Sequence, residues 1–298
     1  MQPAETEAPQ RSERPTRVAT TRHRDSMWRE VWERRELLRQ LVNRDVRLRY
    51  HQAVMGFLWA LLMPILVLGA SVMIRTLVSQ KANIGQSTSV AGIAYKAWAW
   101  AFFVGSINFS TNSLLSNINL ISKMYFPREI LPIAAIGAQA VDALVGLAFL
   151  LVLTPFLGVK FTLALFWVPL LVALLLLLVV GLALLLSAAN VFYRDVKYLV
   201  QVAVTFGIFA TPVFYGLPDL HGRMRTIIAL NPLTTILEGL RLVLGEGVGL
   251  GGTILASDGG MPIWTPWYLV GTAAFGLFLF AVAVRFFRLQ ADRFAELG

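Results

Sequence analysis

The run from Val168 to Leu186 constrains the fold more than any other part of this sequence. It holds one proline, one glycine and no charged residue. A helix of about 20 residues, rising about 1.5 Å per residue, is long enough to cross the hydrocarbon core of a bilayer. Helices in the cores of globular proteins rarely need so long an uncharged stretch. We therefore predict an integral membrane protein.

The composition supports this prediction and argues against other classes. Apolar residues make up 57% of the chain and charged residues 14%, whereas a soluble domain has roughly 45–50% and about 25%. Cysteine is absent and the three histidines lie far apart, so we expect no disulfide, metal or cofactor. The formal charge of +9 could indicate nucleic acid. The basic residues, however, lie at the ends of apolar segments, so we expect no nucleic-acid partner.

The N-terminal part divides into two segments. Residues 1–26 are rich in proline, threonine, glutamate and arginine, and we predict a disordered cytosolic tail. Residues 27–50 place tryptophan, leucine and valine at helical spacing with arginines between them. This pattern is typical of an amphipathic helix at a membrane interface, where arginine stems reach the headgroups. A soluble helix that packs on a partner is the alternative.

Residues 51–298 are predicted to form an all-α transmembrane domain of six helices. Each predicted span is a mainly apolar run bounded by charged or turn-forming residues. The six spans are residues 56–78, 93–115, 130–157, 165–191, 198–215 and 267–287.

The segment between spans five and six contains a further helix signal. Asn231 and Pro232 precede an apolar stretch that runs to Leu244. Asparagine is a good helix cap, and proline suits the first helical position. Because this stretch is too short to span, we predict a re-entrant or interfacial helix on the outer side.

The positions of lysine and arginine predict the orientation. If the N-terminus is cytosolic, nineteen of the 26 basic residues lie inside and seven outside, with Lys96 and Arg241 among the outer ones. Without the N-terminal region the count is seven on each side, so the prediction rests mainly on the basic N-terminal helix. Both termini are then cytosolic.

Motifs of soluble catalysis are missing from the sequence. It has no Gly-x-x-x-x-Gly-Lys-Ser/Thr loop for ATP, no His/Glu zinc motif and no Gly-x-Ser-x-Gly nucleophile turn. We therefore predict that the chain is not an enzyme and that it serves transport or a channel.

Asp142 is a carboxylate in the middle of predicted span three. An ionisable residue at such a depth suggests a functional site, for example a proton relay. A relay needs partners, however, and no other predicted span offers a titratable group at that depth. We therefore favour a structural hydrogen bond to a neighbouring helix.

Aromatic residues near spans one and five allow two interpretations. They could form an interfacial belt or pack helix on helix, or they could line a pore on which the flat faces of sugars slide. No charged residue occurs from 201 to 217, which suits a neutral sugar. The candidate channel residues are Trp59, Phe206, Phe209, Phe214 and Tyr215.

The loop between spans two and three mixes apolar and charged residues, and Pro127 fixes a bend before the next helix. It is either a plain connector or a docking element for a cytosolic partner. The candidate docking residues are Lys123, Tyr125, Phe126, Pro127, Arg128 and Glu129.

Several motifs together resemble a known family. In order and spacing they are similar to the permease subunits of ABC-type polysaccharide exporters, the O-antigen, capsule and teichoic-acid group. The resemblance covers about residues 27–290. The motifs are Arg47-Leu48-Arg49-Tyr50, Gly56-Phe57-Leu58-Trp59-Ala60, the run from Lys123 to Pro132, Tyr193-Arg194-Asp195-Val196 and Asn231-Pro232-Leu233-Thr234.

This resemblance implies a homodimer in the bacterial inner membrane that works with two copies of an ATP-binding ABC subunit. It implies a central channel for a lipid-linked glycan. The interface helix and the 123–129 loop would contact the ATPase, and the short helix that begins at Asn231 and Pro232 would gate the exit. Three alternatives are a type-2 ABC permease for a drug or lipid, a proton-coupled carrier built around Asp142, and a membrane scaffold without transport.

Overall fold

The computed structural model describes residues 33–50, 89–123, 126–159, 162–255 and 262–290, together with scattered helical positions from 65 to 76. Within these ranges the fold is helical, apart from turns and one isolated antiparallel bridge between Ile254 and Trp264. The predicted tail, residues 1–26, and most of predicted span one, including Trp59, lie outside the described residues. The helices are α1 (Arg35–Tyr50), α2 (Val90–Ser116), α3 (Ile118–Lys123), α4 (Ile130–Leu153), α5 (Val168–Phe192), α6 (Val196–Ala210), α7 (Gly222–Ala229), α8 (Pro232–Leu240) and α9 (Trp267–Gln290).

Four helical segments of the described part are long and apolar enough to cross a membrane. They confirm predicted spans two, three, four and six, and every boundary agrees within three residues. Predicted span one stays a prediction, because most of it is outside the described ranges. The four segments are Val90–Ser116, Ile130–Leu157, Leu163–Phe192 and Trp267–Gln290.

Predicted span five is shorter than expected. Helix α6 has 15 residues and ends at Ala210, so the predicted continuation to Tyr215 was wrong. The physical reason is Pro212, whose ring disfavours helical backbone at the preceding residue. Thr211 is accordingly extended, with φ −127° and ψ 134°. At about 1.5 Å per residue, a helix of this length falls short of a hydrocarbon core of about 30 Å.

The helices assemble around α2. Helix α2 packs along α4 and α5, α9 packs on α5, and α1 lies along α4. Two apolar clusters result. One includes Trp100, Leu237 and Trp264 and lies near α8. The other includes Leu41 and Phe126 and lies near the loop before α4. The interface helix is thus held against the bundle through its apolar side.

The predicted helix after Asn231 is confirmed. The Asn231 side chain accepts a hydrogen bond from the Leu233 amide at 3.0 Å, and Pro232 takes the first helical position. Helix α7 and the segment Pro232–Gly245 meet at an angle of 96°, as in a broken span or a re-entrant loop. The last five residues, Arg241–Gly245, form a π-helical turn.

The end of this π-helical turn touches the start of α2. The Ser89 hydroxyl caps α2 by accepting from the Gly92 amide at 3.0 Å, and it donates to the Gly245 carbonyl at 3.1 Å. A Cβ on residue 245 would lie 2.6 Å from the Cα of Gly92. Since both sides of this contact are backbone, neither can give way cheaply.

We therefore expect Gly245→Ala to destabilise the protein by about 1–3 kcal/mol, the usual cost of overpacking. The measurement is the melting temperature of the purified protein in detergent. Gly252→Ala is the matched control, because a Cβ there would meet no atom within 4 Å. Equal melting temperatures for the two variants would show that the close approach carries no energetic weight.

Candidate functional site: an exposed helix face and a buried ion network

Helix α6 presents an unusually exposed apolar surface. Of its 15 residues only Val200 is buried. Phe206 and Phe209 are 65% and 74% exposed, and Thr205 between them turns its hydroxyl back to the Gln201 carbonyl at 2.7 Å. The two predicted channel phenylalanines therefore lie on a surface that the rest of this chain leaves open.

The other predicted channel residues differ in position. The Tyr215 hydroxyl donates to the Phe209 carbonyl at 3.0 Å, which folds the end of the segment back onto α6. Phe214 packs against the apolar cluster near α8. The structure thus brings Phe206, Phe209 and Tyr215 to one helix and turns Phe214 toward the protein interior.

The predicted docking loop is divided in a similar way. Phe126 is buried in the apolar cluster that also contains Leu41, and Glu129 is buried at the start of α4. Pro127 and Arg128 between them are half-exposed. Tyr125 and the side chain of Lys123 lie outside the described part. Phe126 therefore anchors the loop to its own chain, and Pro127 and Arg128 form its accessible crest.

Asp142 has partners that the sequence did not reveal. It forms an ion pair with Arg49 and accepts a hydrogen bond from the Tyr50 hydroxyl at 2.6 Å. Both partners come from the end of α1, so the expectation that this carboxylate lacks a titratable neighbour was wrong. The favoured interpretation, a structural hydrogen bond to a neighbouring helix, is confirmed. Burial raises the pKa of Tyr50 to about 12, so the phenol keeps the proton that it donates.

Arg49 also contacts two further helices. Its guanidinium donates to the Gln139 side chain at 3.2 Å and lies 4.3 Å from the centre of the Phe109 ring. The face of an aromatic ring attracts a cation, and this attraction strengthens when water is excluded. The end of α1 is therefore fixed to α2 and α4 at the depth of Asp142.

The most unexpected feature is an ion network formed by Lys96, Glu238, Arg241 and Glu246. The Lys96 ammonium donates to Glu238 Oε1 at 3.2 Å, and Arg241 Nε donates to Glu238 Oε2 at 2.6 Å. Arg241 also pairs with Glu246. The side chains of Lys96, Glu238 and Arg241 are 0%, 1% and 3% exposed. Two cations and two carboxylates make the network electrically neutral.

Two backbone groups belong to the same contact. The Leu217 amide donates to Glu238 Oε1 at 3.3 Å, and Lys96 donates to the Tyr215 carbonyl. The network therefore joins α2, the turn that follows α6, and the re-entrant segment. Charges within a membrane domain are stable only when they are paired and hydrogen-bonded in this way.

The sequence interpretation had placed Lys96 and Arg241 in contact with the outer solution, and this was wrong. Lys96 is inside α2, and Arg241 begins the π-helical turn. A signal was available in Glu238, which is the one acidic residue in an apolar stretch that was expected to enter the membrane. Such a residue requires a basic partner. Among the described residues, no group of three or more acidic, histidine or cysteine side chains is placed to hold a metal ion.

Comparison with known proteins agrees with this architecture. The family model described as ABC-2 type transporter matches residues 36–244. The chain is 28% identical over 220 residues to the O-antigen export system permease protein RfbA of Myxococcus xanthus, which covers 73% of this chain and 84% of that protein. Two proteins of the same name from Klebsiella pneumoniae are each 25% identical. They cover 72% and 71% of this chain, and 82% and 81% of their own lengths.

The matched region begins at α1 and ends at the π-helical turn, so it contains the α6 surface, the docking loop and most of the ion network. The bundle of apolar helices agrees with a multi-pass membrane protein. On the strength of the family match over most of its length, the chain belongs to the ABC-2 type transporter family, as a membrane-spanning permease.

Proposed function

We propose that this chain is the membrane subunit of an ATP-driven exporter that moves a lipid-linked polysaccharide from the cytosol to the outer side of a bacterial inner membrane. It works as a homodimer with two copies of a separate ATP-binding ABC subunit. Both termini are cytosolic. The relatives named as O-antigen export permeases support a polysaccharide as the substrate class.

The observation that carries this proposal is the α6 surface. A polymer that slides through a membrane needs walls that bind weakly at many places and tightly at none. The exposed Phe206 and Phe209 offer flat apolar faces without directional demands, and no charge lies between residues 201 and 217. A second copy of α6 facing the first would enclose a neutral aromatic path between the two protomers.

The surroundings of Asp142 argue against the alternative of a proton-coupled carrier. A relay carboxylate must gain and lose a proton during each cycle. Asp142 instead pairs with Arg49 and accepts from Tyr50, and both contacts favour a permanently ionised carboxylate. The ABC-2 family membership also implies energy from an ATP-binding partner.

The direct test is deletion of the gene in its own host, followed by complementation. We expect the deletion strain to lose its surface polysaccharide and to accumulate lipid-linked polymer in the cytosolic leaflet, because synthesis continues while export stops. Mass analysis of extracted lipids and surface carbohydrate staining measure the two pools. Unchanged pools, combined with altered sensitivity to a drug or altered membrane lipids, would contradict a polysaccharide substrate.

The channel hypothesis makes a separate prediction for Phe209. We expect Phe209→Ala to keep wild-type thermal stability, because a side chain that is 74% exposed leaves no cavity when truncated. Export per molecule of ATP hydrolysed should fall severalfold. Phe214→Ala is the matched control, since Phe214 packs against the interior and its loss should cost up to about 3–5 kcal/mol. Stability loss in both variants, with equal loss of all activities, would favour simple helix packing.

A further inference from the structure

We infer that the ion network of Lys96, Glu238, Arg241 and Glu246 is a water-sensitive latch that holds the re-entrant segment closed over the outer end of the transport path. The inference rests on the proposed function for the meaning of the path. It assigns to Lys96 and Glu238 a positioning role for the gate.

The first argument is connectivity. Glu238 accepts hydrogen bonds from Lys96 on α2, from the Leu217 amide after α6, and from Arg241 at the π-helical turn. The turn after α6 begins directly beyond the exposed Phe209 surface. One carboxylate therefore fixes the re-entrant segment both to the bundle core and to the end of the helix that carries the predicted path.

The second argument is the location of the gate hinge. Helices α7 and α8 meet at 96° at Asn231 and Pro232, the two residues predicted to form the outer gate. The network lies at the opposite end of α8 from this bend. A short helix that is bent at one end and held by ionic contacts at the other can swing when those contacts open. π-helical turns such as Arg241–Gly245 often occur at functional sites.

The third argument is energetic. A buried ion pair gains attraction but loses hydration, and the two nearly cancel. Opening such a contact to water costs little, because each charge recovers its hydration. An apolar contact in the same place would oppose opening, because water would meet apolar surface. An ionic network is therefore suited to a contact that must be dry when closed and wet when open.

This argument predicts opposite effects for two kinds of variant. Glu238→Gln removes one charge and leaves the network with an unbalanced positive charge in a dry site. That charge favours the wet, open state. Lys96→Met/Glu238→Leu removes a cation and an anion together and leaves the neutral pair of Arg241 and Glu246. The apolar replacements favour the dry, closed state.

A thiol reporter can measure the state of the latch, because the chain contains no cysteine. Thr234 on α8 is buried, and its hydroxyl has no hydrogen-bond partner among the described residues. Thr234→Cys should therefore fold normally. Leu230→Cys, at a position 78% exposed beside the hinge, is the control that reagent should reach in every background. The probe is a membrane-impermeant maleimide applied to intact cells that express the permease with its ATPase partner.

In the wild-type background we expect slow labelling of Cys introduced at Thr234, dependent on cellular ATP. With Glu238→Gln, labelling should be fast and independent of ATP. With Lys96→Met/Glu238→Leu it should fall by about tenfold, the effect of wetting one apolar side chain in the open state. If the leucine variant does not fold, Lys96→Met/Glu238→Gln keeps an acceptor for the Leu217 amide and should also remain weakly labelled.

The inference is overturned if folded Glu238→Gln protein labels like the wild type, or if both kinds of variant change labelling in the same direction. A purely structural network would produce that second result, since any loss would loosen the segment. The reporter does not depend on polysaccharide. If labelling follows the prediction while the deletion strain keeps its surface polymer, the proposed function fails and the latch stands.

Discussion

Asp142→Leu is expected to destabilise the protein by about 2–4 kcal/mol. Removing one partner of a buried ion pair costs about 3–5 kcal/mol, and the remaining exposure of Arg49 reduces this somewhat. The variant leaves the Arg49 guanidinium without its carboxylate and the Tyr50 hydroxyl without its acceptor. The measurement is thermal unfolding of the purified permease in detergent or nanodiscs.

Two companion variants sharpen this prediction. Arg49→Met/Asp142→Leu removes both charges and should recover most of the lost stability, as paired apolar replacements of buried ions commonly do. Asp142→Asn still accepts from Tyr50, so it should cost less than the leucine variant and should retain export. A stable Asp142→Asn protein without export would instead support a proton-coupled carrier. No recovery in the double variant would show that Asp142 does not act through Arg49.

The second large effect is expected at the docking loop. Tyr125→Ala/Arg128→Ala should abolish coupling, because a partner ATPase would push on the crest that Pro127 and Arg128 form. We expect normal membrane insertion and normal ATP hydrolysis by the isolated partner. Stimulation of that hydrolysis by the permease, and export itself, should both be lost. Normal export in this double variant would exclude the loop as the coupling element.

Phe126→Ala provides the contrast within the same loop. Phe126 is buried beside Leu41 and Ile130, so its truncation should cost about 3–5 kcal/mol in stability. Export and ATPase stimulation should then fall together with the amount of folded protein. Comparing the two variants at equal amounts of folded protein separates a failure of docking from a failure of folding.

The sequence predicts most of the helical framework, because membrane spans are encoded locally. Residues that face the apolar phase must be apolar along the whole helix, so the ends of α4 and α9 could be assigned to within a few residues. The cap at Asn231 was readable for the same reason, since a cap and its helix are neighbours in sequence. The early end of α6 was also encoded, in Pro212, but the aromatic run beyond it suggested a longer helix.

The partners of the buried charges could not be assigned in this way. Hydrophobic periodicity tells which face of a helix is buried, but it does not tell which other helix covers that face. Arg49 looked like one more basic residue of an interface helix, and its contact with Asp142 spans 93 positions. Glu238 carried a local warning, an acid among apolar residues, but nothing nearby in sequence named Lys96.

The distance along the chain between Lys96 and Glu238 has a consequence for biosynthesis. The two residues are 142 positions apart, which at about 5–20 residues per second corresponds to roughly 7–30 s of translation. During this interval α2 is already available for insertion with an unpaired ammonium about 9 Å along its axis. A lysine near a helix end can reach toward the headgroups, so we expect α2 to insert first in a shifted position. It would reach its final depth only when the ribosome has delivered the re-entrant segment, and the last helical pair would complete a span made much earlier.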